Sequence, residues 1–191
     1  MVVQAKGLLS LEEFLALPPD ENDLTYELVD GQAIPKMSPK KFHSCLTRAF
    51  LFLLCREFEG RGEVYPELGI ALTWQGRDWV PTPDLTYISY ERLPASWQEN
   101  TVCPVPPDLA IEIISPGQTF GQLAAKARAY LDANVLRLWV VDSKARSITV
   151  FYPDAPPQTY MGDTLLTDPL FEGLAFTAEQ VFQQAGIPFD S

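Results

Sequence analysis

Residues 108–115 read DLAIEIIS, a run of apolar residues interrupted by one carboxylate. Two prolines precede the run, and a Pro-Gly pair follows it. Short continuous apolar runs between turn signals are typical of strands that are buried on both faces. A charged side chain in such a strand is costly unless it is paired or bound to a metal. The sequence therefore predicts a buried strand here and a partner for Glu112.

The segments around this strand predict further strands and a helix. Residues 64–89 are rich in β-branched and aromatic residues and contain a turn at 75–78, which indicates extended structure on both sides. A helix is predicted after Thr119, a candidate N-cap, because apolar residues recur there at intervals of three and four. Two strands are predicted to follow this helix, over 136–141 and 147–152.

The N-terminal part predicts two helices and a hairpin. A capping box at Ser10 indicates a short helix over 10–18. The segment TYELVDGQAIPKM, at 25–37, is typical of two strands around an Asp-Gly turn. Apolar residues at intervals of three and four predict the strongest helix over 39–58, with Ser38 as its N-cap.

In order, the middle of the chain reads helix, three strands, helix, strand. This pattern predicts an α/β or α+β layer fold with a mixed central β-sheet flanked by helices. We expect one domain of 191 residues, with its core over residues 10–152. Residues 153–191 form an acidic, Pro-rich C-terminal extension with a last helix over 177–185.

Several classes of protein are disfavoured by simple inspection. The longest apolar run, at residues 49–55, is far short of the roughly 20 residues that span a membrane. The N-terminus lacks the apolar stretch of a secretory signal. Three cysteines without a CxxC pair and a single histidine, His43, do not suit a multi-histidine zinc site. We therefore expect a cytoplasmic protein with reduced thiols and no membrane segment.

The charge is unevenly distributed along the chain. The formal net charge of -11 argues against nucleic acid as a partner, since phosphate contacts come mainly from Lys and Arg. However, 13 of the 25 acidic residues lie in residues 1–35 and 153–191. Residues 36–61 carry six basic residues and only two acidic ones. The net charge therefore does not exclude DNA, but it predicts weak, salt-sensitive binding.

Two carboxylates are candidate metal ligands. Asp84 begins a predicted strand in TPDLTYIS, and Glu112 lies inside another. Carboxylates that converge from neighbouring strands suit a hard cation such as Mg2+. Asp108 lies on the same face as Glu112 but about 13 Å along the strand, too far to share one ion without a bulge. A structural partner such as Arg137 is the alternative explanation for Glu112.

Four side chains on the two main helices are candidate cations for the site. Lys126 lies at the edge of an apolar stripe, so its ammonium group can reach past the stripe. An ordinary lysine on a solvated flank is the alternative. His43 suits a packed or hydrogen-bonded histidine, or an acid-base or phosphate-contacting group. Lys41 and Arg48 lie on the polar flank of the same helix as His43.

Several motifs occur in a fixed order along residues 10–152. They are TYELVDGQAIPKMS, PTPDLTYIS, PPDLAIEIISPGQT and LRLWVVD. His43 lies between the first two motifs, and Lys126 and Tyr130 lie between the last two. This set resembles the Uma-type "putative restriction endonuclease" family of the PD-(D/E)XK nuclease superfamily. The resemblance implies a restriction-endonuclease-like core with the order helix, three strands, helix, strand.

The same resemblance implies roles for individual residues. Asp84 is similar to the aspartate of the PD motif and Glu112 to the acidic residue of (D/E)XK, so both would hold Mg2+, with Mn2+ as the alternative ion. The backbone carbonyl of Ile113 would be a further ligand. The superfamily lysine would fall at Ile114. In the Uma-type family it comes from the following helix, where Lys126 stands.

The resemblance implies an endonuclease that hydrolyses DNA phosphodiester bonds. Lys126 would orient the water or stabilise the developing charge, and His43, Lys41 and Arg48 are candidate substrate contacts. A homodimer is expected, because the two strands of a duplex call for two sites. Two alternatives stay open: a catalytically inactive nuclease fold that serves as a binding or interaction module, and hydrolysis of another phosphoester.

Overall fold

The computed structural model describes residues 8–18 and 25–188 of the 191-residue chain. Most of its strands occur in two uninterrupted runs, one in the middle of the chain and one towards the C-terminal end. In chain order the elements are α1 (Leu11–Leu15), β1 (Tyr26–Val29), β2 (Gln32–Pro35), α2 (Lys41–Glu57), β3 (Gly62–Pro66), β4 (Leu72–Trp74), β5 (Arg77–Trp79), β6 (Leu85–Ser89), β7 (Leu109–Ile113), α3 (Phe120–Asp132), β8 (Arg137–Asp142), β9 (Ser147–Phe151), β10 (Gln158–Met161), β11 (Leu165–Thr167), β12 (Ala175–Thr177) and α4 (Ala178–Ala185).

A six-stranded mixed sheet forms the centre of the fold. Its strand order is β10-β9-β8-β7-β6-β3, and β7 and β8 are parallel whereas the other pairs are antiparallel. All five residues of β7 are buried. The predicted mixed sheet flanked by helices is therefore confirmed, and so is the buried strand that contains Glu112.

Helices cover both faces of the sheet, and the alternation of side chains along β7 separates the two cores. Ile111 and Ile113 pack in one cluster with residues of α2 and α4. Ala110 packs in a second cluster with residues of α3. Because successive side chains of a strand point to opposite faces, Glu112 faces the same side as Ala110, towards α3.

The helix starts agree with two of the three predicted N-caps. Ser10 caps α1 in a capping box, and Thr119 caps α3 in the same way. Ser38, in contrast, is not the N-cap of α2. The backbone is still extended at Lys40, so the helix begins at Lys41, two residues later than predicted. The side chain of Lys40 makes no capping hydrogen bond.

The extended region over residues 64–89 divides into two parts. β3 and β6 pair with each other in the central sheet, whereas β4 and β5 form a separate hairpin. The turn of this hairpin consists of Gln75 and Gly76, both with positive φ. It is therefore a two-residue turn, tighter than the turn predicted over 75–78.

The C-terminal residues contribute to the main body. The helix predicted over 177–185 is present as α4, which packs against α2. No strand was predicted after residue 152, yet β10 extends the central sheet and β11 pairs with β12. Phe171, Phe176 and Phe182 lie in the same core cluster as α2. Within the described ranges, no helix has both the length and the apolar character that a membrane crossing requires.

Gly62 marks the closest approach between β3 and β6. A Cβ atom added there would lie against the carbonyl oxygen of Ile88 and 2.8 Å from the Cα of Ser89. We expect Gly62→Ala to lower the free energy of unfolding by about 1–3 kcal/mol, because backbone atoms must move apart. Urea denaturation measures this change.

Gly121 is the matched control for this substitution. It lies in α3, and only one atom, 4.0 Å away, would approach an added Cβ. Gly121→Ala should leave the stability unchanged or raise it by up to about 1 kcal/mol, since alanine favours helix. Equal destabilisation by the two variants would contradict the close-approach argument.

Candidate active site

The strand register places Asp84 beside Glu112. Leu85 of β6 is paired with Ile111 of β7, and the amide of Asp84 donates to the carbonyl of Ile111, 3.0 Å away. Asp84 therefore continues β6 opposite Glu112. Both carboxylates are buried, as the sequence prediction of a shared site requires.

Three donors surround the Asp84 carboxylate. Oδ1 accepts from Lys36 Nζ at 3.0 Å, and Oδ2 lies 2.9 Å from His43 Nε2 and 2.7 Å from the Ile113 amide. Burial by itself would raise the pKa of Asp84. The hydrogen bond with His43, the charge of Lys36 and the Ile113 amide outweigh burial, so the pKa of Asp84 is lowered.

Two donors from α3 meet at one oxygen of Glu112. Lys126 Nζ lies 2.9 Å from Oε1, and the Tyr130 hydroxyl donates to the same atom at 2.8 Å. Burial raises the pKa of Glu112. The charge of Lys126 opposes this rise, whereas the charges of Asp84 and Glu27 add to it, and the net shift is upward.

Lys126 is bound by two carboxylates. Besides Glu112, it contacts Glu27, with Nζ 3.0 Å from Oε1 and 3.3 Å from Oε2. Burial would lower the pKa of Lys126, but these two carboxylates raise it well above its usual value. The ammonium group therefore stays protonated, and the alternative of an ordinary lysine on a solvated flank does not apply.

The contacts described so far form one charged cluster, which consists of Asp84, Glu112, Lys126, His43, Glu27 and Lys36. The sequence analysis did not predict the last two. Glu27 lies on β1, accepts from the Thr82 amide at 2.9 Å and thereby joins the first hairpin to the chain before Asp84. Lys36 follows β2. The only local signal for either residue is a charged side chain in or beside the short apolar hairpin, which is also typical of solvent-facing positions.

His43 is buried and contacts Asp84, whereas Lys41 and Arg48 are exposed on α2. Lys41 and Arg48 line different clefts, and His43 lines both. One cleft, of about 290 Å³, contains Arg48 together with Asp84 and Glu67. The other, of about 510 Å³, contains Lys41. The structure thus brings His43 to Asp84 and leaves Lys41 and Arg48 exposed, each in a different cleft.

Asp108 and Arg137 lie elsewhere and have structural partners. Asp108 accepts from the Ser89 amide at 2.7 Å and lies 3.3 Å from Arg92 Nε. Arg137 binds Asp168 through Nε at 2.6 Å. Arg137 is therefore not the partner of Glu112. Lys126 and Tyr130 are the partners of Glu112 instead.

The donor set has the chemistry of a hard-cation site. Asp84 and Glu112 supply carboxylate oxygens from adjacent strands, which is the ligand type that Mg2+ prefers. Among the residues that the structure describes, no three His, Cys, Asp or Glu groups come together as a metal cluster. Two carboxylates with waters and a backbone oxygen still fit Mg2+, because this ion keeps several waters when bound.

Comparisons with known proteins agree with this fold. The profile of the Uma2 family, described as "Putative restriction endonuclease", matches residues 11–179. The crystal structure of a "putative nuclease belonging to DUF820" from Anabaena variabilis ATCC 29413 is similar, with a TM-score of 0.79 and 22% sequence identity over 93% of this chain and 99% of that one. At this identity the likeness establishes the fold alone. None of the curated proteins compared matches the chain.

Tyr130→Phe tests the hydrogen bond to Glu112. The ring stays in place but the buried carboxylate loses one donor, so we expect the free energy of unfolding to fall by about 2 kcal/mol. Tyr90→Phe is the matched control, because the Tyr90 hydroxyl donates to Glu63 at 2.7 Å in an exposed position. It should cost less than about 1 kcal/mol. Equal losses in the two variants would show that burial does not strengthen the Tyr130 bond.

Lys126→Met tests the charge balance at Glu112. Removing one partner of a buried pair costs about 3 kcal/mol at neutral pH. The pKa of Glu112, already raised in the folded protein, should rise further, so the folded state binds a proton more tightly than the unfolded state. Stability is then regained as the pH falls through that folded-state pKa.

The measurement is urea denaturation at about pH 7.5 and about pH 5, where the loss caused by Lys126→Met should be smaller. Lys126→Arg keeps the charge and should behave like the original protein at both values. A loss that is the same at both pH values would show that the stability effect does not act through Glu112.

Proposed function

The chain belongs to the Uma2 family of restriction-endonuclease-like proteins, and from this premise we propose that it is a Mg2+-dependent endonuclease that hydrolyses DNA phosphodiester bonds. The observation that carries the proposal is the side-by-side placement of Asp84 and Glu112 on adjacent strands, with the Lys126 ammonium bound to Glu112. Two acids and one lysine are the groups that metal-assisted phosphodiester cleavage uses.

Asp84 and Glu112 are the proposed ligands of Mg2+, with Mn2+ as an alternative ion and the Ile113 carbonyl as a further ligand. When bound, the ion lowers the pKa of a coordinated water and withdraws charge from a phosphate oxygen. His43 and the Ile113 amide hold the Asp84 carboxylate, and Tyr130 holds that of Glu112. These contacts fix both carboxylates before substrate arrives, which reduces the reorganisation that the reaction requires.

The proposed role of Lys126 is electrostatic. A general base must lose its proton near the working pH, but the carboxylates of Glu27 and Glu112 raise the pKa of Lys126. The protonated ammonium group instead orients the attacking water or stabilises the negative charge that develops on the phosphate. Glu27 and Glu112 together position this ammonium group.

Substrate contacts are proposed for His43, Lys41 and Arg48, which line two clefts that share His43, the residue in contact with Asp84. A two-fold homodimer belongs to the same proposal, because cleavage of both strands of a duplex needs two copies of the site. Light scattering on the purified protein determines its oligomeric state.

A catalytically inactive binding module is the second candidate function. One observation favours it: each carboxylate already has a lysine partner, Lys36 on Asp84 and Lys126 on Glu112. These ion pairs compete with a metal ion for the same oxygens. A binding module would retain DNA without cutting it, and its affinity would not depend on Mg2+.

Plasmid nicking in Mg2+ or Mn2+ tests the proposal, with EDTA as the block. We expect nicking by the original protein, and a loss of at least about 100-fold in Glu112→Gln and in Asp84→Asn, because each variant removes a charged metal ligand. Glu63→Gln, an exposed site on β3, is the matched control and should cleave normally.

Calorimetric titration with Mn2+ and thermal unfolding accompany the nicking assay. The ligand variants should fold but lose Mn2+ binding, whereas Glu63→Gln should keep it. Cleavage that persists undiminished in Glu112→Gln would remove this residue from the mechanism. Absence of nicking by the original protein, combined with binding of DNA in EDTA, would favour the inactive module.

A further inference from the structure

A basic cleft lies at the carboxyl ends of the two parallel strands. β7 ends before Pro116 and β8 ends before Ser143, and both of these residues line the cleft. Lys40 and Lys41 approach it from the start of α2, and Lys144 approaches it from the turn between β8 and β9. Ligands of open α/β sheets characteristically bind outside the carboxyl ends of parallel strands.

The charge of this cleft is opposite to that of the chain as a whole. Four of its lining residues are basic, namely Lys40, Lys41, Lys144 and Arg146, and none of the lining residues that the structure describes is acidic. The chain carries a net charge of -11. The neighbouring cleft, which contains Arg48, also contains Glu67 and Asp84. A polyanion is therefore attracted more strongly to the basic cleft than to its neighbour.

The turn that carries Lys144 is held rigidly. Asp142 Oδ1 accepts from the amides of Lys144 and Ala145, at 2.8 and 3.0 Å. The guanidinium group of Arg146 binds the Ile187 carbonyl at 3.1 Å and Glu179 at 3.1 Å. Lys144 itself is exposed. The turn thus presents one exposed cation on a hydrogen-bonded backbone, which limits the ordering cost of a phosphate contact.

His43 connects the basic cleft to the carboxylates. It lines the cleft, and its Nε2 atom lies 2.9 Å from Asp84 Oδ2. A phosphodiester chain that occupies the cleft therefore lies against the residue that contacts Asp84. The volume of about 510 Å³ is sufficient for a short backbone segment.

We propose that this basic cleft binds the phosphate backbone of the strand to be cut, with Lys40, Lys41 and Lys144 as the phosphate contacts. The proposal rests on the proposed nuclease function and adds to it the direction from which the strand reaches Asp84. It adds Lys40 and Lys144 to the proposed substrate contacts and makes Arg48, in the other cleft, a secondary contact.

Fluorescence anisotropy with a short labelled duplex, in EDTA and over a range of KCl concentrations, tests the assignment. The triple variant Lys40→Ala/Lys41→Ala/Lys144→Ala should raise the Kd by on the order of tenfold or more. It should also reduce the slope of log Kd against log salt by about 2 to 3, since each phosphate contact contributes nearly one.

The matched control removes three charges from other exposed positions, as Arg56→Ala/Arg77→Ala/Arg128→Ala. Its Kd and salt slope should stay near those of the original protein. Equal weakening by both triple variants would overturn the proposal, because net charge alone would then explain binding. So would an unchanged Kd in the lysine variant, or a larger loss in Arg48→Ala alone.

Two further experiments are informative. One distinguishes a failure of the cleft assignment from a failure of the nuclease function, and the other distinguishes a polyanion site from a site for simple anions. If the original protein nicks plasmid and the lysine triple variant nicks equally well under subsaturating DNA, the cleft assignment fails and the nuclease function stands. If the original protein never nicks but binds DNA through the three lysines, the nuclease function fails and the cleft stands. Inorganic phosphate should compete with the duplex only weakly. Complete displacement of the duplex by inorganic phosphate, at a concentration equal to that of the DNA phosphates, would contradict a polyanion site.

Discussion

The compensation of one buried charge determines how this protein is assembled. Glu112 lies in a strand whose five residues are all buried, and an uncompensated carboxylate there would cost several kcal/mol. Lys126 and Tyr130 supply the compensation from one helix, at a single oxygen atom. Because α3 is the crossover between the parallel strands β7 and β8, the same two bonds also fix the helix on the sheet. The chemistry and the architecture thus depend on one set of contacts.

The cluster extends this compensation through an alternation of charges. Glu27, Lys126 and Glu112 form one chain of contacts, and Lys36, Asp84 and His43 form another. Opposite charges at hydrogen-bond distance offset part of the cost of burying ionisable groups. Each carboxylate of the cluster thus has a lysine partner.

Local patterns in the sequence predicted the elements that depend on local interactions. The apolar run around Glu112 predicted a strand buried on both faces, and the capping residues predicted α1 and α3. Contacts between distant segments could not be predicted in this way. Nothing near Glu27 indicates that it meets Lys126, and nothing near Lys36 indicates that it meets Asp84. The short strands β10, β11 and β12 were missed because residues between Pro153 and Thr177 lack a long apolar alternation, and their partners decide their structure.

The contact between Glu27 and Lys126 determines when the charged cluster can form during folding. These residues are separated by 99 positions, so the cluster closes only when the N-terminal hairpin has docked on a helix made much later. Long-range contacts of this kind form late in folding, since the chain must first lose the entropy of the intervening loop. A nascent chain that ends before Lys126 lacks the ammonium group altogether. The charge arrangement of the mature site is therefore a property of the finished fold, and an incomplete chain cannot display it.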